Sequence, residues 1–257
     1  MNKNILQGSR KKIEATLFRQ LLFAVPLLLV ATGVWAPVAA ARQTTEAWAR
    51  EEAGTGLEIS RAARPWEFLT SVGQRAGIFG NETGRIEGWV YPLKIFRDFH
   101  LRFHTDGKII PAESLARQVI ARPESTTILY TGDTFSVRET ICVPVHEAGA
   151  IVLLQVESEE PLEIEAAFHR DFQLEWPASL GATYVYWDKP ANAFYFGEEQ
   201  KNFSAFLGSP SATAALTEYQ TNYSSTDENS FRLGASGKGP DTKIIVLAAS
   251  VQGRAEA

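Results

Sequence analysis

The stretch STTILYTGDTFSVRETICVPVHEAGAIVLLQVESEEPLEIEAAF, residues 125–168, decides the fold class. Its short runs of β-branched and aromatic residues are separated by Thr131-Gly132-Asp133 and Glu147-Ala148-Gly149, which are typical of hairpin turns. Alternation over 134–143 places on one mostly apolar face the residues Phe135, Val137, Glu139, Ile141 and Val143. The stretch therefore predicts antiparallel strands joined in a meander.

The same pattern extends in both directions from this stretch. Upstream, residues 84–110 contain another β-rich run and a third turn, Thr105-Asp106-Gly107; downstream, strands are predicted over 183–187, 193–196 and 243–250. Short helices are predicted only over 113–120 and 211–217. No fixed-period repeat is present, which argues against a propeller or a solenoid. We predict an all-β fold, a large two-sheet antiparallel β-sandwich, over residues 65–257.

The first 41 residues have the order of an export signal. Five basic residues end at Arg19, and residues 20–41 are uncharged and mostly apolar, with Ala39-Ala40-Ala41 before Arg42. We predict an exported protein, periplasmic or secreted, cleaved near Ala41. The alternative is a membrane-anchoring helix, since about 20 apolar residues span a bilayer. Residues 42–64, rich in Glu, Arg and Ala, are predicted to be a flexible tether.

Charge excludes one class of partner. The 257-residue chain has a formal charge of −5, and without residues 1–41, which contain five basic residues and one acidic residue, the charge becomes −9. An acidic domain repels phosphate backbones, so we predict no nucleic-acid binding, and membrane contact only if the signal is retained. The single cysteine, Cys142, cannot close an internal disulfide and is predicted to be a buried apolar side chain.

Metal, cofactor and catalytic sites are not predicted. His100 and His104 lie in a β-patterned run, where residues four apart are separated by about 13 Å along a strand and cannot bind one ion. The sequence cannot give the separation of two carboxylates that a glycosidase needs. The acidic residues of 157–165 have the pattern of a solvated face. We therefore predict no catalytic residue, no metal and no cofactor.

The aromatic residues are candidates for carbohydrate binding. Sugars present flat C–H faces with hydroxyl rims, so their sites combine aromatic rings with acids, amides or arginine. Trp187-Asp188, Glu175-Trp176 and the pair Arg85 and Trp89 provide this combination. The alternative is that these tryptophans fill the core of the sandwich, since each buries a large area.

Several long blocks resemble a known family. RPWEFLTSVGQRAGIFGNETGRIEGWVYPLKIFRDFHLRF, ESTTILYTGDTFSVRETICVPVHEAGA, FHRDFQLEWPASLG and GEEQKNFSAFLGSP are similar to the amino-terminal β-domain of secreted bacterial proteins related to amylo-α-1,6-glucosidases. These proteins belong to the six-hairpin glycosidase group. The resemblance covers about residues 64–250 and contains no short catalytic signature.

The resemblance implies a fold and a partner. It implies a supersandwich of two large antiparallel sheets of the galactose-mutarotase-like kind, followed by a linker and an (α/α)6 barrel that holds the catalytic carboxylates. The sequence ends where the barrel is expected, so the chain is predicted to be a non-catalytic fragment. In related folds a glycine- and asparagine-containing segment lies beside the barrel mouth, and residues 79–85 are similar to it; a simple hairpin turn is the alternative.

Two main functions follow from these observations. The first is the non-catalytic sandwich of an exported glycoside hydrolase, which shapes the cleft for an α-glucan. The second is a free-standing periplasmic carbohydrate-binding module. A third, a scaffold for protein contacts, would show a large apolar patch on one sheet. The predicted carbohydrate-binding residues are Asn81, Glu82, Arg85, Trp89, Trp176, Trp187 and Asp188.

Overall fold

Eighteen strands and one short 3-10 helix make up the part of the chain that the computed structural model describes, residues 56–174, 180–216, 220–221 and 228–257. The strands are β1 Ile59–Ala62, β2 Phe68–Val72, β3 Ala76–Asn81, β4 Ile86–Val90, β5 Leu93–Thr105, β6 Lys108–Pro111, β7 Ala116–Ala121, β8 Thr126–Thr131, β9 Phe135–Cys142, β10 Gly149–Ser158, β11 Leu162–Leu174, β12 Thr183–Asp188, β13 Ala193–Glu198, β14 Ser204–Gly208, β15 Ala212–Ala215, β16 Gln220–Thr221, β17 Glu228–Ala235 and β18 Asp241–Ser250. The 3-10 helix, Ala112–Leu115, lies between β6 and β7.

The strands form two antiparallel sheets. The ten-stranded sheet has the order β1-β7-β8-β9-β10-β18-β14-β13-β12-β16. The eight-stranded sheet has the order β15-β17-β11-β5-β4-β3-β2, and β6 pairs with β5. The predicted all-β architecture of two antiparallel sheets is confirmed.

The core lies between the two sheets because each strand turns alternate side chains inward. In β9, Phe135, Val137, Glu139 and Ile141 are all buried, as their shared face predicts. Phenylalanine rings from both sheets are in contact within the core. Phe168 of β11 lies 5.3 Å, centroid to centroid, from Phe194 of β13. Rings bury large areas, so these contacts hold the sheets together.

All three predicted hairpin turns are present, but their glycines serve different purposes. Gly107 has φ +68°, the left-handed conformation that a tight turn requires. A Cβ on Gly132 would lie 2.5 Å from the ring of Phe135, and one on Gly149 would lie 2.2 Å from the carbonyl oxygen of Leu247. At these two turns glycine is needed for close packing.

Both predicted short helices are wrong. Over 113–120, only the first residues belong to the 3-10 helix, and the chain continues as β7, which pairs with β1 and β8. Over 211–217, Ala212–Ala215 forms β15 and pairs with β17, while Thr217 lies outside the described residues. Hydrogen bonds to neighbouring strands override weak, uncapped helical patterns.

The predicted tether is also wrong at its carboxyl-terminal end. β1, Ile59–Ala62, lies within 42–64 and pairs with β7 over four residues, from Ile59 opposite Ala121 to Ala62 opposite Gln118. The sandwich therefore begins before residue 65. Residues 42–55 and the predicted export segment 1–41 lie outside the described residues. In the part that is described, we find no helix of the length and apolar character needed to cross a bilayer.

Candidate functional site

The turn between β3 and β4 contains three of the predicted binding residues. The Asn81 side-chain oxygen accepts hydrogen bonds from the backbone N–H of Thr83 at 3.1 Å, the Thr83 hydroxyl at 2.7 Å and the Arg85 N–H at 3.3 Å. This is the local bonding that favours asparagine in turns. Asn81 therefore organises the turn through its side-chain oxygen.

Glu82 fastens the amino-terminal strand to this turn. Its carboxylate, which is 3% exposed, accepts bonds from both terminal nitrogens of Arg61, at 2.7 and 2.5 Å, and from the Arg64 backbone N–H at 2.9 Å. A two-pronged bond of this kind is among the strongest ion-pair arrangements. Glu82 is thus committed to holding β1 in place.

Arg85 bridges two carboxylates. Its Nε lies 2.6 Å from Glu113, and one terminal nitrogen pairs with Asp98. The hydrogen bond to Glu113 outweighs partial burial, and with Asp98 it raises the pKa of Arg85 further above its ordinary value. The same bond lowers the pKa of Glu113. The guanidinium is therefore engaged by the protein.

Trp89 lies in an open groove on the outer face of the eight-stranded sheet. Paired residues of an antiparallel sheet share a face, and Trp89 pairs with Gly77, which pairs with Val72. We call this feature the Trp89 groove; its volume is about 550 Å³, and its lining includes Phe68, Val72, Gly77, Phe79, Trp89 and Tyr91. A Cβ on Gly77 would lie 2.8 Å from the Phe79 ring. The absence of a side chain at Gly77 therefore leaves room for this ring at the base of the groove.

Charged neighbours hold Trp89 in one orientation. Its indole N–H donates to Glu87 at 2.9 Å, and the Lys94 ammonium lies 5.3 Å from the ring centroid. Lys94 is paired with Glu87 at 2.8 Å and with Asp171 at 2.9 Å. Burial disfavours the charged amine, but hydrogen bonds to both carboxylates outweigh it and raise the pKa of Lys94. Burial likewise opposes the Glu87 anion, yet bonds from Lys94 and Trp89 lower the pKa of Glu87.

Trp187 and Asp188 belong to the other sheet, so the structure does not bring them together with Trp89. The Trp187 ring packs edge-on against Phe194, 5.0 Å between centroids, and lies 6.0 Å from Phe231. Asp188 is 5% exposed, accepts the Ala191 N–H at 3.1 Å and pairs with Arg254. Both side chains therefore serve the fold. Trp176 lies outside the described residues.

Replacing Trp187 by alanine is expected to destabilise the domain by about 3 kcal/mol, because a large ring is removed from the edge of the core. Urea unfolding followed by circular dichroism measures this change. Trp66→Ala is the matched control: Trp66 is 81% exposed, and a loss of less than about 0.5 kcal/mol is expected there. A Trp187→Ala protein as stable as the wild type would contradict the core assignment.

Glu139 is a titratable group that the sequence placed on the apolar face of β9. Its carboxyl is fully buried and accepts a 2.6 Å hydrogen bond from the Tyr130 hydroxyl, while its second oxygen has no partner among the described residues. Burial raises the pKa of Glu139 to about 7, against the opposing effect of that hydrogen bond. Burial, together with the nearby carboxylate, raises the pKa of Tyr130 well above its ordinary value.

His100 and His104, the two histidines with a possible metal-ligand spacing in the sequence, both have protein partners. His100 Nδ1 lies 2.8 Å from the Asp98 carbonyl oxygen, and His104 Nε2 lies 2.8 Å from Glu165. Across the described ranges, we find no group of three or more His, Cys, Asp or Glu side chains that could hold a metal ion. Burial alone would raise the pKa of Glu165. The hydrogen bonds from Ser230 and His104 outweigh this effect, and the pKa is lowered.

The sequence missed several residues of the Trp89 groove, among them Phe68, Phe79, Glu87 and Tyr91, and also Lys94, whose ammonium lies beside the Trp89 ring. One signal was available: Glu87 and Trp89 are two residues apart in a strand and must share a face. The contribution of β2 and the β2–β3 turn depends on pairing, which local patterns do not reveal.

Comparison with known proteins gives likenesses in structure. No protein-family model matches the chain, and no curated protein matches it in sequence. A bacterial glucoamylase in complex with acarbose has a TM-score of 0.55 at 14% identity, over 79% of this chain and 35% of that chain. A heparan sulfate lyase HepC mutant from Pedobacter heparinus has a TM-score of 0.47 at 12% identity, over 86% of this chain and 41% of that chain. A putative aldose 1-epimerase from Escherichia coli K12 has a TM-score of 0.45 at 9% identity, over 72% of this chain and 99% of that chain.

These likenesses concern the fold. The chain spans about a third of the length of the glucoamylase that it matches. The chain therefore has the fold of the matching third of a bacterial glucoamylase, and the resemblance of the sequence to the β-sandwich of glycosidase-like proteins is confirmed at the level of the fold.

Proposed function

We propose that this chain is the non-catalytic β-sandwich of an exported carbohydrate-processing protein, which supports a helical-barrel glycosidase domain and shapes its glycan cleft. The likeness to part of a bacterial glucoamylase supports a carbohydrate-related role. α-Glucan is the substrate class that we propose for the whole protein, and the (α/α)6 domain is the proposed partner.

One observation supports the non-catalytic assignment most directly. A general acid in glycoside hydrolysis needs a raised pKa and access to the leaving oxygen. Glu139 has a pKa of about 7, but the residue is 0% exposed and sealed beneath the turn of residues 81–85, so no substrate reaches it. Asp98 and Glu113 are partly exposed but are paired with Arg85, and the buried Glu82 is paired with Arg61.

A hydrolysis assay tests this proposal. The 257-residue chain and a longer product of the same locus are incubated with maltooligosaccharides and pullulan, and released reducing sugar is measured. We expect release by the longer product and none by the 257-residue chain. Release by the shorter chain would show that it contains catalytic groups. Inactivity of both products would contradict the glycosidase role.

Export forms a separate part of the proposal. The basic, apolar and small-residue order of 1–41 supports cleavage near Ala41. Expression in a bacterial host followed by mass spectrometry of the exported fraction tests it. A mature amino terminus at Arg42 is expected. Recovery of the intact chain in the membrane fraction would instead support the anchor.

A free-standing carbohydrate-binding module is the second candidate function, and the Trp89 groove favours it. It differs from the first candidate in one measurable respect: no product of the locus would hydrolyse a glycan.

A further inference from the structure

The Trp89 groove exposes an unusual amount of apolar surface. Phe68 is 67% exposed, Val72 58% and Tyr91 72%. Phe68 stacks on Phe79 with 6.3 Å between ring centroids and an interplanar angle of 22°, so the wall of the groove consists of two nearly parallel rings. Clustered exposed apolar side chains are uncommon on soluble proteins and mark interaction sites.

The groove is also preorganised. Trp89 is held by a hydrogen bond to Glu87 and by the ammonium of Lys94 beside its ring, and Gly77 leaves room above the floor. A ligand that binds here does not need to order the indole, which lowers the entropic cost of binding. The volume of about 550 Å³ is that of a small-ligand site, which is roughly 300–1,000 Å³.

Hydrogen-bonding groups lie along the apolar surface. Glu87 and Asp171 flank Lys94 beside Trp89, and Gln74 and Arg75 lie in the turn at one end of the groove. Lys94 is neutralised by its two carboxylates, so Arg75 is the remaining cation of this group. Two positive and two negative side chains leave the site without net charge.

This charge balance argues against a polyanionic ligand. A sulfated or uronic-acid chain needs several unpaired cations, and the overall acidity of the protein would repel it. The charged side chains argue against an apolar protein partner as well, because such a surface would remove Glu87 and Lys94 from water at a cost in desolvation free energy. Sugar hydroxyls supply donors to carboxylates, and pyranose C–H faces pack against aromatic rings.

We propose that the Trp89 groove binds a short stretch of a neutral oligosaccharide, with pyranose rings lying against Trp89 and Tyr91 and hydroxyls bonded to Glu87. The proposal rests on the carbohydrate-related role proposed above and deepens it. It assigns glycan binding to the groove and excludes Trp187 and Asp188, whose side chains are committed to the fold.

Isothermal titration calorimetry on the 257-residue chain tests the proposal. The probes are maltoheptaose, cellohexaose and xylohexaose, with a heparin hexasaccharide as the anionic comparison. We expect binding of at least one neutral probe and none of the heparin fragment. Trp89→Ala is expected to weaken binding about tenfold, equivalent to about 1.4 kcal/mol. Tyr91→Ala, at a more exposed position, is expected to weaken it about threefold by the same relation.

Trp66→Ala is the matched control, since Trp66 is equally aromatic, highly exposed and outside the groove lining. Its affinity is expected to equal that of the wild type. If Trp89→Ala proves unstable in thermal melting, Tyr91→Ala carries the test alone. The proposal is overturned if no neutral probe binds, if the heparin fragment binds more tightly, or if Trp66→Ala has the same effect as the groove variants. Binding is measured separately from hydrolysis by the longer product, so failure of one proposal is distinguishable from failure of the other.

Discussion

Replacing Glu139 by glutamine is expected to abolish a loss of stability that the wild-type domain undergoes as the pH rises from about 4.5 to about 7. Burial raises the pKa of this carboxyl to about 7, so the native state holds the proton more tightly than the unfolded chain. The stabilisation is complete below the ordinary value of 4.5 and is lost as the pH rises through about 7. The loss is on the order of 3 kcal/mol.

Urea unfolding of both proteins at intervals from pH 4.5 to pH 8 measures this effect. At pH 8 the Glu139→Gln protein is expected to be more stable than the wild type, because glutamine keeps an acceptor for Tyr130 and carries no charge. The acids with lowered pKa values, Glu87, Glu113 and Glu165, titrate below this window and do not interfere.

Glu157→Gln provides the matched control for this experiment. Glu157 lies in β10 and is exposed to solvent, so the same exchange removes a carboxyl without affecting the core. Its pH dependence is expected to equal that of the wild type. An unchanged slope in Glu139→Gln would show that the buried carboxyl is not the group that titrates.

A methyl group at Gly84 is expected to have the second large effect. Gly84 has φ +88°, and a Cβ there would lie 1.9 Å from the Tyr130 hydroxyl and 3.3 Å from Glu139 Oε2. Gly84→Ala combines backbone strain with overlap in the core and is expected to cost roughly 3–5 kcal/mol. The free energy of unfolding in urea at pH 5 gives the value.

Gly107→Ala separates these two contributions. Gly107 has φ +68° with nothing within 4 Å of the added methyl, so only the strain of about 1–2 kcal/mol is expected. The double variant Gly84→Ala/Tyr130→Phe removes the overlapping hydroxyl and is expected to regain part of the loss. Equal losses at Gly84 and Gly107 would mean that contact with Tyr130 contributes nothing.

Local patterns were sufficient to predict the central strands and their inward faces, but not β1, β7 and β15, which depend on pairing with neighbouring strands. Alternation correctly placed Glu139 with Phe135, Val137 and Ile141 on the buried side of β9. The partner Tyr130 comes from β8, and its approach depends on the register that sets Ile128 opposite Glu139. The chemistry of the buried pair therefore required knowledge of strand pairing.

The candidate site also depends on contacts between residues that are distant in the sequence. Arg85 bonds to Asp98 and Glu113, 13 and 28 residues away, and Glu82 bonds to Arg61, 21 residues away. Such distant partners are invisible to a short motif. Trp89 and Trp187 both have acidic neighbours in sequence, but Trp187 shares its strand face with the fully buried Val185, whereas Trp89 shares its face with Glu87. Alternation within each strand was the signal that distinguishes them.

The position of β18 has a consequence for how the domain folds. This strand lies in the interior of the ten-stranded sheet, between β10, some 90 residues earlier, and β14. It joins two groups of strands: β1, β7, β8, β9 and β10 on one side, and β12, β13, β14 and β16 on the other. Such distant pairing raises the contact order and slows folding. Completion of the ten-stranded sheet therefore depends on residues 241–250, and a chain that lacks them would leave the facing edges of β10 and β14 unpaired.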